Sequence, residues 1–422
     1  MDLGTSAPTR PAHGGVRLVL TAEAVVTGTE VLRPGWVEID GPRVTAVGSG
    51  PAPAAAAGSA SPAGQSATRP ASAPEGHDAG VQVLDLGAVT IVPGFVDMHT
   101  HGGGGAAYTE ATPEAVAVAT GLHRRHGTTR TMASLVSAHP DELLRQVVGL
   151  VDHVRAGEII GIHLEGPWMA PTRLGAHDLA TLRAPDPAEI DRLLDVGEGT
   201  IRMVTLAPEL PGGLEATRRL AEAGVVVAVG HTDATYEETR AAIDAGATVA
   251  THLFNAMRPI EHRAPGPVVA LLEDPRVTVE TIADGVHLHP AVYATVCREA
   301  GGDRVAVVTD AMSAAGMPDG RYLLGSLDVD VVDGTARVSG TPTIAGSTAT
   351  MDRLFRFALA HGGSAGDVAL LQAVRQSATV PAATVGADGG SLAVGSPADL
   401  VVLDADAHVV RVMVAGCWVG AP

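Results

Sequence analysis

Lysine is missing: all 28 basic side chains among the 422 residues are arginines. Schiff-base chemistry and a phosphate-binding P-loop lysine are thereby excluded. Positive charge is scarce too, because 47 acidic residues bring the formal net charge to −19. That balance excludes nucleic acid or an anionic membrane as the main partner, so an anionic ligand needs a local pocket of arginine. Cysteine is limited to Cys297 and Cys417, too few for a disulfide framework. No apolar run approaches the roughly 20 residues of a membrane span. The N-terminal MDLGTSAPTRPAHGG lacks the apolar core of a secretory signal. Together these absences point to a cytoplasmic protein. Hydrophobic residues make up 46% of the chain, enough for one large α/β domain with a smaller companion.

Both ends read as β structure. Arg17 to Gly50 alternates apolar residues between Gly and Pro, and GSPADLVVLDADAHVVRVMVAGCWV does so near the C-terminus. Residues 49–80 are almost entirely Ala, Pro, Ser and Gly and read as a disordered surface loop. Between the ends, eight strand-like runs alternate with helical stretches such as PEAVAVATGLHRRHG, PDELLRQVVGLVDHVRAG and GLEATRRLAEAG. Eight βα steps in about 250 residues are the size of a (β/α)8 barrel. No G-x-G-x-x-G opens a helix, which argues against a doubly wound sheet. The expected fold is α/β: a (β/α)8 TIM-like barrel over 91–385, with a small β-sandwich built from 16–90 and 386–422.

Side chains at the C-terminal ends of barrel strands converge on one mouth. Here those ends carry His99 and His101, Glu165, His231, His252 and Asp310. Each alone is an ordinary polar strand end. Four histidines and two carboxylates together suit a divalent transition metal, zinc first, with iron, manganese or cobalt as alternatives. One or two ions per subunit are compatible with the set. GGSAG, Gly362 to Gly366, fits a nucleophile elbow, but a helix-like run precedes it, so Ser364 is expected to cap the next helix. His123, His126, His139, His153 and His361 read as surface residues.

PGFVDMHTHG, GIHLEGPWMA, VAVGHTDA, THLFNAM, IADGVHLHP, VVTDAM and ADLVVLD resemble the amidohydrolase superfamily and, more narrowly, its N-acetylglucosamine-6-phosphate deacetylases. The resemblance runs from about Val16 to the C-terminus, apart from the low-complexity loop. Many members of the superfamily bridge two metals with a carbamylated lysine. That is impossible here, whereas the glutamate of HLEGP, matching Glu165, does this work in the deacetylases.

The resemblance further implies a mechanism and a substrate. A divalent ion lowers the pKa of water to about 7, and Asp310, of the TDA motif, is expected as general base and then general acid. Expected substrate contacts are His177, Asn255, Ala256, Arg263, His287 and Ile344, the last beside Ala345. Arg263, of an HREPG-like motif in which Ala264 replaces the acidic residue, is expected to reach the neighbouring site of a homodimer. Arg258 is either a phosphate contact or a solvated loop residue, and His289 is expected to stand off. The expected reaction is conversion of N-acetylglucosamine 6-phosphate to glucosamine 6-phosphate and acetate. The galactosamine epimer, a dipeptidase-like or cyclic-amide amidohydrolase, and a catalytically dead scaffold are the alternatives.

Overall fold

The computed structural model describes residues 17–52 and 80–420. The expected disordered loop at 49–80 falls, over 53–79, outside the described residues.

Eight parallel strand positions follow one another around a barrel. Phe95–Asp97 pairs with Thr128–Thr131, whose continuation Ala133–Leu135 opens a seven-stranded sheet. That sheet runs through Ile162–Glu165, Ile201–Leu206, Val226–Val229, Ala247–Ala250, Thr278–Thr281 and Val305–Val307. The ring is tied shut beyond the last strand, where the Asp310 N–H donates to the His99 carbonyl at 2.8 Å. Beside it, the Thr309 N–H donates to Asp97 Oδ1 at 3.2 Å. Met98, Met132, Met203, Ala228, Val249, Ile282 and Ala306 come from seven of the eight strand regions and form one buried cluster that fills the barrel.

Helices return the chain after each strand because their caps and apolar faces are built in. Pro113–Arg125 begins on Thr112, whose hydroxyl accepts from the Ala115 N–H, with proline at the first turn. Tyr236–Asp244 begins on a Thr235–Glu238 capping box. Pro140–Arg155 turns Leu143, Val147, Leu150 and Val151 toward the sheet at helical spacing.

The chain ends make two further sheets. One has four strands, Arg43–Ser49, Gly35–Asp40, Arg17–Ala22 and Val81–Asp85. The other has six and joins Thr90–Pro93 and Ala24–Val26 to Leu400–Leu403 and Val409–Val414. Leu20, Val37, Ile39, Val25, Ile91, Leu400 and Met413, from both sheets, share one core, so the unit is a β-sandwich.

The near-continuous apolar stretch Val89–His99 holds two strands, because Thr90–Pro93 pairs in the sandwich and only Phe95–Asp97 enters the barrel. Gly94 makes the crossing: a Cβ there would lie 2.2 Å from Thr129 Oγ1. After the eighth strand comes an unanticipated antiparallel sheet, Gly320–Leu324, Leu327–Val332 and Thr335–Val338. Ser364 does not cap a helix; its hydroxyl donates to Gln372 Oε1 at 2.7 Å.

His123 is also corrected, since it is fully buried and its Nε2–H donates to the Gly102 carbonyl at 2.8 Å. Burial pushes its pKa down to about 4. A histidine held neutral in this way contributes stability above its unfolded pKa of about 6.5 that is lost as pH falls toward 4. Urea titrations between those pH values should show wild type losing up to about 1.4 kcal/mol more per pH unit than His123→Gln. Parallel pH profiles would contradict the assignment.

Candidate active site

The six strand-end residues meet. His99 and His101 follow Phe95–Asp97, and Glu165 ends Ile162–Glu165. His231, His252 and Asp310 lie just past Val226–Val229, Ala247–Ala250 and Val305–Val307. Glu165 is central. Its Oε1 lies 3.0 Å from His252 Nε2 and 3.2 Å from His231 Nε2, and its Oε2 lies 3.1 Å from His101 Nε2. Asp310 Oδ1 is 3.1 Å from His101 Nε2 and 3.5 Å from His99 Nε2. His231 Nε2 and His252 Nε2 are 3.1 Å apart. Tetrahedral ligands about 2.1 Å from a zinc-like ion stand roughly 3.4 Å from one another. The donor separations therefore fit a shared divalent ion without rearrangement of the strands.

The ring orientations fit as well. His101 Nδ1 lies 3.1 Å from the Ser134 carbonyl, and His231 Nδ1 lies 3.0 Å from the Arg173 carbonyl. A carbonyl only accepts, so each Nδ1 carries a proton and each Nε2 turns toward Glu165 as the atom left to ligate a metal. His99 repeats the pattern with Glu280 Oε2 at 3.1 Å. Backbone strain marks the same positions: His231, His252 and Asp310 have φ of 48°, 26° and 47°. Left-handed backbone at such residues costs on the order of 1–3 kcal/mol each, which the surrounding packing must offset. Gly175, at φ 57°, lets its loop approach His231, whose Cε1 would lie 3.0 Å from a Cβ there.

The cluster is a trap for positive charge. Burial opposes charging His99 and His101, yet the neighbouring carboxylates outweigh it. Glu165, Glu280 and Asp310 hold the pKa of His99 well above its ordinary value, and Asp310 with Glu165 lifts His101 to about 9. Burial also opposes ionising Glu165 and Asp310, and there the histidines prevail, keeping both carboxyls below their ordinary range. His231 goes the other way, to about 4, because burial dominates. Neutral His231 is a ready ligand.

A cavity of about 300 Å³ opens over the cluster. His177, Asn255, Ala256, His287 and Ile344, read from the sequence as substrate contacts, all line it. Arg263 does not: it is exposed on the loop before Gly266–Glu273. Arg258 is engaged with Arg173 on Asp233, as the salt bridges Arg258–Asp233 at 3.2 Å and Arg173–Asp233 at 2.8 Å record. His289 caps Pro290–Ala300.

Sequence reasoning missed Ser137 and Glu280. Ser137 touches His177 Nδ1 through its N–H at 3.3 Å and its hydroxyl at 2.9 Å. A backbone N–H can only donate, so Nδ1 accepts from Ser137 and the His177 proton sits on Nε2, facing Glu165 and the cavity. No sequence signal distinguishes Ser137 from any strand-end serine. Glu280 had one, as a lone charge inside the otherwise uncharged run VTVETIA.

The sequence profile of the amidohydrolase family matches residues 90–419. N-acetylgalactosamine-6-phosphate deacetylase of Escherichia coli O157:H7 is 36% identical over 342 residues, which span 80% of this chain and 89% of that protein. N-acetylglucosamine-6-phosphate deacetylase of Vibrio furnissii is 36% identical over 344 residues, spanning 79% and 84%. A mutant N-acetyl-D-glucosamine-6-phosphate deacetylase of Mycobacterium smegmatis, solved with N-acetyl-D-glucosamine-6-phosphate, superposes with a TM-score of 0.88 at 56% identity, covering 96% of this chain and all of that one. With the barrel, the lysine-free carboxylate centre and these likenesses in agreement, the chain belongs to the amidohydrolase family and groups within it with the N-acetylglucosamine-6-phosphate deacetylases.

Proposed function

We propose that this protein hydrolyses the acetamide of N-acetylglucosamine 6-phosphate, releasing acetate and glucosamine 6-phosphate in amino-sugar catabolism. The observation that carries the reading is the convergence of histidine Nε2 atoms on Glu165, with Asp310 beside them at the floor of the cavity. Glu165, His231 and His252 would hold one divalent ion, and His99, His101 and Asp310, sharing Glu165, a second. Imidazole with carboxylate favours zinc. When bound, such an ion would supply a water of near-neutral pKa and would polarise the amide carbonyl.

The side chains do the rest. Asp310, ionised at neutral pH, accepts the proton of the attacking water and returns it to the departing amine. His177 presents its Nε2–H toward the carbonyl oxygen, where negative charge grows in the transition state. Ile344, with Val136 and Leu324, gives the cavity apolar wall that excludes water around the acetyl group. Asn255 and the backbone at Ala256 face the sugar. His287 spends Nδ1 on Asp284 at 2.7 Å, which leaves Nε2 for the phosphate. The exposure of Arg263 on a surface loop supports its reaching the cavity of a second subunit in a homodimer. There its guanidinium would supply the permanent cation that the acidic chain otherwise offers sparingly. The two free cysteines accord with a cytoplasmic site of action.

Acetate release from N-acetylglucosamine and N-acetylgalactosamine, each with and without 6-phosphate, tests the proposal. The 6-phosphates should be strongly preferred, the gluco epimer first; equal rates with unphosphorylated sugars would refute the phosphate reading. The galacto epimer is a real competitor because a relative at 36% identity carries that name. Arg263→Ala should raise KM for the phosphorylated substrate about tenfold at nearly constant kcat. An unchanged KM would remove Arg263 from the site.

A further inference from the structure

Unlike Glu165 and Asp310, Glu280 does not line the cavity over the cluster. It sits on Thr278–Thr281, wholly buried, beneath the cluster. Its Oε2 accepts two hydrogen bonds, from His99 Nδ1 at 3.1 Å and from the His252 backbone N–H at 3.1 Å. Its Oε1 is buried and has no hydrogen-bond partner among the described residues. A carboxylate shut in a barrel interior with one oxygen unmatched is costly unless positive charge stands close by. A neutral side chain of similar size would fill the space at lower cost. The retained charge asks for a reason, and the two contacts offer one: a single oxygen joins the ligand of the first strand to the ligand of the sixth.

We propose that Glu280 is the positioning residue that makes the His99 half of the centre bind metal. By accepting from Nδ1 it fixes the tautomer in which the Nε2 lone pair points at Glu165 and Asp310. Its negative charge raises the electron-donating power of that ring, as carboxylates behind metal-bound histidines do. Through the His252 N–H it also braces the strained turn, φ 26°, that carries the neighbouring ligand. His101 and His231 lean on main-chain carbonyls instead. Of these rings, His99 is thus the one backed by full charge, and its ion position should depend most on that backing. The inference rests on the reading above that His99 is a metal ligand.

The test separates charge from shape. Gln at 280 keeps the size and keeps an acceptor for the His252 N–H, so a merely structural glutamate would tolerate it. Metal-depleted full-length wild type, Glu280→Gln and His99→Ala are titrated with Zn²⁺ against a chromophoric chelator, with near-UV circular dichroism recording the fold. Wild type should take up two equivalents. Glu280→Gln should keep the tighter equivalent and bind the weaker one about 10–100-fold less well, and His99→Ala should lose that weaker one. Should Glu280→Gln fail to fold, Glu280→Asp, whose shorter side chain withdraws from His99, is expected to show the same selective weakening. If the Glu280 variants titrate like wild type while His99→Ala loses an equivalent, the inference falls and the site reading stands. If His99→Ala itself titrates like wild type, the ligand assignment of His99 falls and takes the inference with it.

Discussion

Asp310→Asn is expected to lower kcat by about 10²–10⁴-fold while leaving the fold and the ion at Glu165, His231 and His252 in place. The substitution is close to isosteric, and the backbone at 310 sits at φ 47°, a conformation asparagine adopts as readily as aspartate. The neighbouring backbone contacts, from Asp310 N–H to the His99 carbonyl and from Ser347 N–H to the Asp310 carbonyl, do not involve the side chain. What disappears is an ionised oxygen 3.1 Å from His101 Nε2 that can take a proton from water. Acetate release measured with metal content and melting temperature on the same preparation checks it. Near-normal turnover would refute the acid–base role, whereas a collapsed melting temperature would mean that Asp310 is chiefly structural.

Glu165→Gln should do more damage by a different route. One oxygen of Glu165 meets His231 and His252, and the other meets His101 and stands 3.5 Å from His177. A neutral amide in that position places an N–H₂ against rings whose lone pairs face inward, and it removes the charge shared by both proposed ion positions. Metal affinity should therefore fall at both positions, by more than the roughly 10–100-fold associated with residues that only support a ligand. Activity should follow metal content. Chelator competition on the variant measures this, and loss at only one position would show that Glu165 does not bridge.

How much of this was legible from the sequence differs from residue to residue. The strand-end residues proposed as ligands were readable because each interrupts an apolar run with an imidazole or carboxylate, and parallel strands deliver their ends to one face. His177 was different: it lies in an irregular loop, and only the family resemblance pointed to it. His123 was misread because its helix looks amphipathic in isolation. Its burial comes from the glycine turn after His101, in which a Cβ at Gly103 would lie 2.9 Å from His123 Nε2, and that contact is not local. The sheet over 320–338 had a local signal, Asp333–Gly334, where both residues have positive φ as a tight hairpin turn requires. Its importance is that it brings Leu324 to the cavity wall. Arg263 marks the opposite limit, since the partner it is proposed to serve belongs to a second chain.

The central claim is that a divalent ion held by Glu165, His231 and His252 carries out hydrolysis of a phosphorylated N-acetyl amino sugar. Its most direct test is to strip the protein of metal, add Zn²⁺ back stepwise, and record bound metal and acetate release from N-acetylglucosamine 6-phosphate on the same samples. The account predicts no turnover in the stripped protein and activity that rises in proportion to the first bound equivalent. Full turnover by the stripped protein, or none at full occupancy, would contradict it.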